Sequence, residues 1–148
     1  MNRRRVVVTA VSAITPIGND AETSWTNLCA GVSGAGPLTH FDPAGYETTF
    51  ACEVKGFVPT DHLPPKAAKR MEIFTQYAVA CAKMLTQAGN FDPAAEPERT
   101  GVILGCGLGG LETIEKQHQR LVEAGPGRVS PFFIPVVIAN MAPGQVSI

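Results

Sequence analysis

The 148-residue sequence lacks most of the features that assign a function class directly. Its four cysteines, Cys29, Cys52, Cys81 and Cys106, form no Cys-x-x-Cys pair and have no histidine at ligand spacing, which argues against a zinc site. The formal net charge is −1, so no overall positive field attracts nucleic acid. No apolar run reaches the ~18 residues of a membrane span. We therefore expect a soluble globular protein, and cysteines in apolar contexts indicate buried, reduced thiols in the cytoplasm.

The pattern of apolar residues predicts an α/β fold. Short runs of β-branched and aliphatic residues predict strands over 5–11, 48–54 and 100–104. Apolar residues at helical spacing predict helices over 20–30, 66–88 and 112–124. Asn19 and Glu22 resemble a capping box for the first helix. Two apolar stripes suggest that the second helix is central, and the third should face inward through Leu111, Ile114, Leu121 and Val122.

A glycine cluster joins the third predicted strand to the helix that follows. Residues 105–110 read Gly-x-Gly-x-x-Gly, the spacing of a dinucleotide-binding turn. Such a site also needs a second strand ending in an acidic residue about twenty positions further on. Residues 128–135 instead carry two prolines and no acidic residue. The cluster is therefore either a packing corner, the wall of a pocket that binds no phosphate, or the nucleotide site of an oxidoreductase domain.

Two further segments require an explanation. Lys66, Lys69 and Arg70 are clustered at the predicted start of the long helix, where positive charge opposes the helix dipole. We expect such a cluster to have a function that compensates for this cost. Residues 130–148 are strongly apolar but follow neither period clearly, which predicts burial against another domain or another chain.

The sequence resembles the β-ketoacyl-acyl carrier protein synthase II family, the elongating condensing enzymes of fatty acid synthesis. The resemblance is carried by Gly-Cys-Gly-Leu-Gly-Gly-Leu at 105–111, Ser-Pro-Phe-Phe-Ile-Pro at 130–135 and the segment 140–148. Residues 5–9, 15–18, 70–72 and 74–77 are also similar to that family, so the match runs from end to end. It implies a thiolase-like fold with αβαβα layers, in which residues 1–148 are the N-terminal part of one synthase domain and cover most of the first half.

The resemblance implies a reaction and its catalytic groups. The family carries out a decarboxylative Claisen condensation of malonyl carrier protein with an acyl thioester to give a 3-oxoacyl product, without metal or nucleotide cofactor. Its nucleophilic cysteine follows shortly after the position of Ile148, and two catalytic histidines lie further on. We therefore expect no catalytic residue within 1–148. Cys106 is not expected to be the nucleophile, since its surroundings lack a base.

The resemblance also implies three kinds of binding residue. Leu108 occupies the position of an aliphatic gate on the acyl pocket, and Phe133 and Ile134 match residues that reach across a dimer to close the pocket. Lys66, Lys69 and Arg70 fall on the patch that receives the acidic acyl carrier protein. The apolar region 130–148 is expected to form a homodimer or heterodimer. One alternative therefore stays open beside the nucleotide site: a non-catalytic partner subunit that sets chain length in a polyketide-type synthase.

Overall fold

A computed structural model describes residues 4–148, and helices dominate this part of the chain. Its α-helices are α1 (Ala21–Cys29), α2 (Pro65–Ala68), α3 (Ile73–Ala88), α4 (Leu111–Ala124), α5 (Phe133–Val137) and α6 (Met141–Ser147). Single 3₁₀ turns cover Pro59–Asp61, Pro93–Ala95, Pro97–Arg99 and Pro126–Arg128. Each of these turns begins with proline, whose fixed φ suits a first helical position. None of the helices in residues 4–148 is long and apolar enough to cross a membrane.

The chain divides into two compact units. The first contains the residues up to Phe57 together with Met84–Phe91. The second contains Val58–Lys83 and Asp92–Ile148, and it holds all the binding residues that the sequence predicts. Helix α3 contributes residues to both units.

In the first unit, α1 begins at Ala21, one residue later than predicted, and its cap is Asp20 rather than Asn19. The carboxylate of Asp20 accepts hydrogen bonds from the backbone N–H and the hydroxyl of Thr23, each at 2.7 Å. These bonds hold the pKa of Asp20 below its usual value, because they favour the charged form. Asn19 instead donates from Nδ2 to the backbone oxygen of Lys55 at 2.9 Å. The predicted capping box is therefore wrong, since a carboxylate next to the helix provides the cap.

The predicted strands form only in part. Within residues 4–148, the one sheet pairs β1 (Gly36–Pro37) with β2 (Phe50–Ala51) in antiparallel register, so only the centre of the predicted 48–54 strand forms. Residues 5–11 and 100–104 have no strand assignment, and Val6 and Ile103 are 90% and 102% exposed. A strand requires a hydrogen-bonded neighbour, and neither segment has one among the described residues. The prediction of two strands there is wrong for this chain.

The long predicted helix is broken. Helix α2 ends at Ala68 and α3 begins at Ile73. The amide of Gln76 donates from Nε2 to the backbone oxygens of Ala68 and Met71, both at 2.9 Å, and so satisfies carbonyl groups that the break leaves free. In α3, Ala80 is fully buried and most other side chains are half-buried, which partly confirms a central position.

Helix α4 forms as predicted, but it buries different residues. Val122 is 71% exposed, and Leu111, Ile114 and Leu121 are more than one third exposed. The buried side chain is Gln117, at 8% exposure. The elements that pack most on α4 are α5 and the turn at Pro126–Arg128.

The cysteines are also less buried than predicted. All four are free thiols; Cys29 and Cys52 are exposed, and Cys81 and Cys106 are half-buried. Cys29 ends α1, whose apolar residues Trp25 and Leu28 are 66% and 60% exposed. The apolar face of this helix is uncovered among the described residues, so the thiol at its end is accessible.

Candidate functional site

The glycine cluster at residues 105–110, called the glycine corner from here on, lies against α5 in the second unit. Gly110 donates its backbone N–H to the carbonyl oxygen of Val137, the last residue of α5, at 2.9 Å. Gly109 has φ +71°, and a Cβ at that position would lie 2.2 Å from the same oxygen. No side chain fits in such a space. The corner therefore needs glycine at 109 because a neighbouring backbone approaches it.

This geometry contradicts the nucleotide interpretation. A phosphate cradle uses free backbone N–H groups. Here Gly109 donates its N–H to the Cys106 sulfur at 3.3 Å, and the N–H of Gly110 is bound to Val137. A Cβ at Gly110 would lie 2.9 Å from Cγ of Glu72, so an acidic side chain, which would repel a phosphate, lies against this glycine. Of the three alternatives, the dinucleotide site is wrong.

The corner places Leu108 beside the helix that carries the other two predicted pocket residues. Leu108 is 75% exposed, next to the glycines that contact Val137. Phe133 begins α5 and is half-buried, and Ile134 follows it at 58% exposure. Three apolar side chains thus lie on adjoining elements with much of their surface uncovered. Leu108 is not a core residue among the described residues.

A buried glutamine holds the segment that leads into α5. Oε1 of Gln117 accepts a hydrogen bond from the backbone N–H of Ser130 at 2.8 Å. Glu72 accepts a hydrogen bond from the Thr113 hydroxyl and so links the start of α3 to α4. Sequence reasoning missed both contacts. The available signal was Gln117 itself, an uncharged polar residue between Ile114 and Leu121 on the apolar stripe.

The three cations line a cavity. Lys66 lies in α2, and Lys69 and Arg70 follow its last residue, so they do not start one long helix as predicted. The expected conflict with a long-helix dipole is therefore wrong for Lys69 and Arg70. Their cavity has a volume of about 820 Å³, and its other walls include Met71, Thr75, Phe132, Val136 and Met141. The structure thus joins the basic cluster to the apolar 130–148 region, which the sequence treated separately.

Residues 4–148 contain no group of three or more histidine, cysteine, aspartate or glutamate side chains placed to hold a metal ion. The chemistry of the site is that of apolar contact and positive charge.

Comparison with known families assigns the chain. The model of the family described as "Beta-ketoacyl synthase, N-terminal domain" matches residues 3–148. The chain belongs to this family. The resemblance seen in the sequence motifs is thereby confirmed, and the glycine corner, the Ser130 segment and the 140–148 segment are parts of a ketosynthase N-terminal domain.

Relatives and solved structures agree with the assignment. The chain is 44% identical to 3-oxoacyl-[acyl-carrier-protein] synthase 2 of Staphylococcus aureus strain COL over 146 residues, which is 98% of this chain and 35% of that protein. Its fold is similar to the ishigamide ketosynthase/chain length factor, with a TM-score of 0.80, 30% identity and coverage of 98% of this chain and 36% of that one.

A second solved structure contains a carrier protein. It is a type II polyketide synthase acyl-carrier protein in complex with its ketosynthase, with a TM-score of 0.73, 25% identity and coverage of 98% of this chain and 38% of that one. These likenesses confirm the predicted fold class, an α/β ketosynthase fold of which this chain covers the N-terminal part. The chain spans little more than a third of the length of these proteins.

Proposed function

We propose that residues 1–148 are the N-terminal part of a synthase domain that elongates acyl chains by decarboxylative condensation. The observation that carries this proposal is the 44% identity with 3-oxoacyl-[acyl-carrier-protein] synthase 2 across 98% of the chain. The reaction joins an enzyme-bound acyl thioester to a malonyl thioester. Loss of CO2 generates the carbon nucleophile, and the product is a 3-oxoacyl thioester. The nucleophilic cysteine and the two histidines that stabilise the enolate lie outside these residues.

The residues of this chain hold and select the substrates. Leu108 gates the acyl pocket, and Phe133 and Ile134 of a second subunit close it through a dimer formed by the 130–148 region. This role is supported by the uncovered apolar surface on the corner and α5, since Leu108 and Ile134 are 75% and 58% exposed. Apolar surface of this kind is typical of a ligand pocket or an interface.

An acyl carrier protein docks on Lys66, Lys69 and Arg70. Their side chains form no ion pair within residues 4–148, so they are available to an acidic partner. A ketosynthase of similar fold binds an acyl-carrier protein, which supports this choice of partner. We place the protein in the cytoplasm, where its exposed thiols, Cys29 and Cys52, stay reduced.

A chimera tests the proposed function. Residues 1–148 are joined to the matching C-terminal part of the Staphylococcus aureus synthase, and the product of acyl and malonyl carrier protein is measured by mass spectrometry. We expect 3-oxoacyl carrier protein at a rate within tenfold of the unmodified synthase. A folded chimera that loads the acyl group but forms no product would contradict the proposal.

Charge reversal should weaken carrier-protein binding in this chimera. Each exposed ion pair contributes about 0.2–1 kcal/mol, so changing Lys66, Lys69 and Arg70 to glutamate should reduce affinity by roughly tenfold or more. The loss should shrink at high salt, because charges are screened within about 10 Å at 0.1 M ionic strength. Titration of the carrier protein measures the affinity. The control reverses Lys55, Arg99 and Arg120, and equal losses in the two variants would remove the cluster from docking.

The isolated chain should accept no acyl group. The half-buried thiol of Cys106 accepts a hydrogen bond from the backbone N–H of Gly109, and no histidine or other base within residues 4–148 is hydrogen-bonded to it. Intact-mass analysis after incubation with acyl carrier protein should show unmodified chain, while the complete Staphylococcus aureus synthase serves as the loading control. A stoichiometric acyl adduct on any cysteine of this chain would refute the expectation.

A partner subunit is the second candidate. Its support is the structural likeness to the ishigamide ketosynthase/chain length factor. A chain of this kind would shape the product without catalysing its formation. Substituting residues 1–148 into a catalytic subunit, as in the chimera above, would then abolish condensation, whereas pairing with a catalytic subunit would restore it.

A further inference from the structure

The covered face of α4 is polar. Within this helix only two side chains are not exposed, Thr113 and Gln117, and both carry hydrogen-bonding groups. Gln117 is 8% exposed and forms a hydrogen bond to a segment thirteen residues further along the chain. An aliphatic residue would pack at such a position without the cost of removing an amide from water. The buried amide therefore indicates a contact that fixes direction as well as distance.

The segment that Gln117 contacts is fixed to α4 at both ends. Gly110, just before the first residue of α4, donates its backbone N–H to the carbonyl oxygen of Val137 at 2.9 Å. Oε1 of Gln117 accepts a hydrogen bond from the backbone N–H of Ser130 at 2.8 Å. The two contacts are seven positions apart in each stretch of chain and pair in opposite order, so the segment runs back along the helix. Together they hold residues 130–137 against α4.

Ser130 connects Gln117 to the start of α5. Its carbonyl oxygen accepts a hydrogen bond from the backbone N–H of Phe133, the first residue of α5, at 3.0 Å. Prolines at positions 131 and 135 fix two further φ angles in this segment. A change in the distance between Gln117 and Ser130 would therefore shift the start of α5, because the segment has little freedom to absorb it.

The other covered side chain of α4 holds the helix itself in place. The hydroxyl of Thr113 donates a hydrogen bond to Oε1 of Glu72, which lies just before α3. The side chain of Glu72 also lies against Gly110, where a Cβ would be 2.9 Å from Cγ of the glutamate. Because this contact does not involve Gln117, replacing the glutamine should release residues 130–137 and leave α4 where it is.

We propose that Gln117 is a positioning residue for the acyl pocket, and that its amide fixes Phe133 and Ile134 and so sets the acyl chain length that a complete enzyme selects. This inference rests on the proposed function of those two residues, whereas the anchoring of their segment follows from the geometry alone. In the proposed function Phe133 and Ile134 close the pocket of a second subunit. Gln117 therefore acts on the pocket of the partner subunit and not on the pocket of its own.

Hydrogen exchange tests the anchor without any assay of activity. Gln117→Met keeps the length of the side chain and removes the acceptor, so in the purified chain amide exchange over residues 128–134 should become roughly fivefold faster. Gln119→Met is the control, because Gln119 lies on the same helix and its amide donates to the exposed Glu123 one turn away. Gln117→Glu, which keeps an acceptor oxygen, should restore slow exchange. Equal exchange in the two methionine variants would overturn the inference.

A series of acyl primers of different length, assayed in the chimera, tests the effect on selection. If the filled pocket separates primers two carbons apart by about tenfold, Gln117→Met should reduce this separation to about threefold. Gln119→Met should leave it unchanged, and Gln117→Glu should bring it back towards the original value. Ile134→Ala is the reference for the pocket end. A series altered by Ile134→Ala but not by Gln117→Met would overturn the inference and leave the proposed function standing, whereas a series altered by neither would remove both.

Mixed dimers of the chimera separate positioning from stability. One subunit has its nucleophilic cysteine changed to alanine, so that only the pocket of the other subunit forms product. Gln117→Met in the inactive subunit should reduce the separation of primers to about threefold, while the same change in the active subunit should leave it near tenfold. A larger effect from the active subunit, or an equal loss of rate at every chain length, would contradict the inference, because a packing defect acts first on the subunit that carries it.

Discussion

Gly109→Ala should lower the melting temperature of the chain by roughly 6–12 °C, because a loss of about 3 kcal/mol has this effect in a protein of this size. Two costs combine. A residue with φ near +71° is strained by about 1–3 kcal/mol unless it is glycine. The new Cβ would also lie 2.2 Å from the oxygen of Val137, so α5 must move away and the hydrogen bond from Gly110 to Val137 is lost.

Gly107→Ala is the matched control for this prediction. A Cβ at Gly107 has no neighbour within 4 Å, and its φ is not in the left-handed region. We expect a change within about 0.5 kcal/mol, the usual size for a surface substitution. Thermal unfolding of both variants by circular dichroism gives the comparison. Similar melting temperatures for the two variants would show that α5 does not depend on the corner, and would return the glycines to some other role.

Leu108→Phe should change which acyl chains a complete enzyme accepts. Each buried methylene contributes about 0.8 kcal/mol, so a filled pocket separates primers two carbons apart by about tenfold. A larger gate should therefore slow long primers steeply and short primers little. Leu108 is 75% exposed, so the added ring meets no packed core among the described residues and the melting temperature should stay unchanged.

The measurement is a primer-length series in the chimera with the Staphylococcus aureus synthase, with melting temperatures for the same proteins. Leu121→Phe is the control, because it makes the same substitution at an exposed leucine away from the glycine corner. Leu121 lies ten positions after Leu111, the first residue of α4, which is about 15 Å along the helix. The control should leave chain-length preference unaltered. A uniform loss of activity with a lowered melting temperature would instead make Leu108 a structural residue.

For the apolar segment 130–148, the sequence predicted the character of the surface but not its structure. The sequence predicted an apolar segment that must be covered, and Phe132, Ile134 and Ile148 are indeed 70%, 58% and 98% exposed within this chain. It did not predict that the segment folds into α5 and α6, or that α5 ends against the glycine corner. An apolar sequence predicts that a segment will be covered, but only the tertiary packing determines which part of the chain covers it.

The sequence by itself determined the features that depend on neighbouring residues. Helix α4, a tight turn within the glycine cluster 105–110 and the family motifs all follow from local spacing in the sequence. The tertiary structure alone decided the features that depend on residues far apart. The carbonyl of Val137 determines which glycine is indispensable, and the amide of Gln76 satisfies the break between α2 and α3.

Strands depend most strongly on distant residues. Residues 5–11 and 100–104 have strand-like sequences, yet a strand forms only when another segment pairs with its backbone, and none does so within residues 4–148. Distant residues also complete the surroundings of Lys66, which shares its cavity with Phe132 and Met141, more than sixty positions away in the sequence. Local periodicity predicts what a segment can form, and long-range contacts determine what it does form.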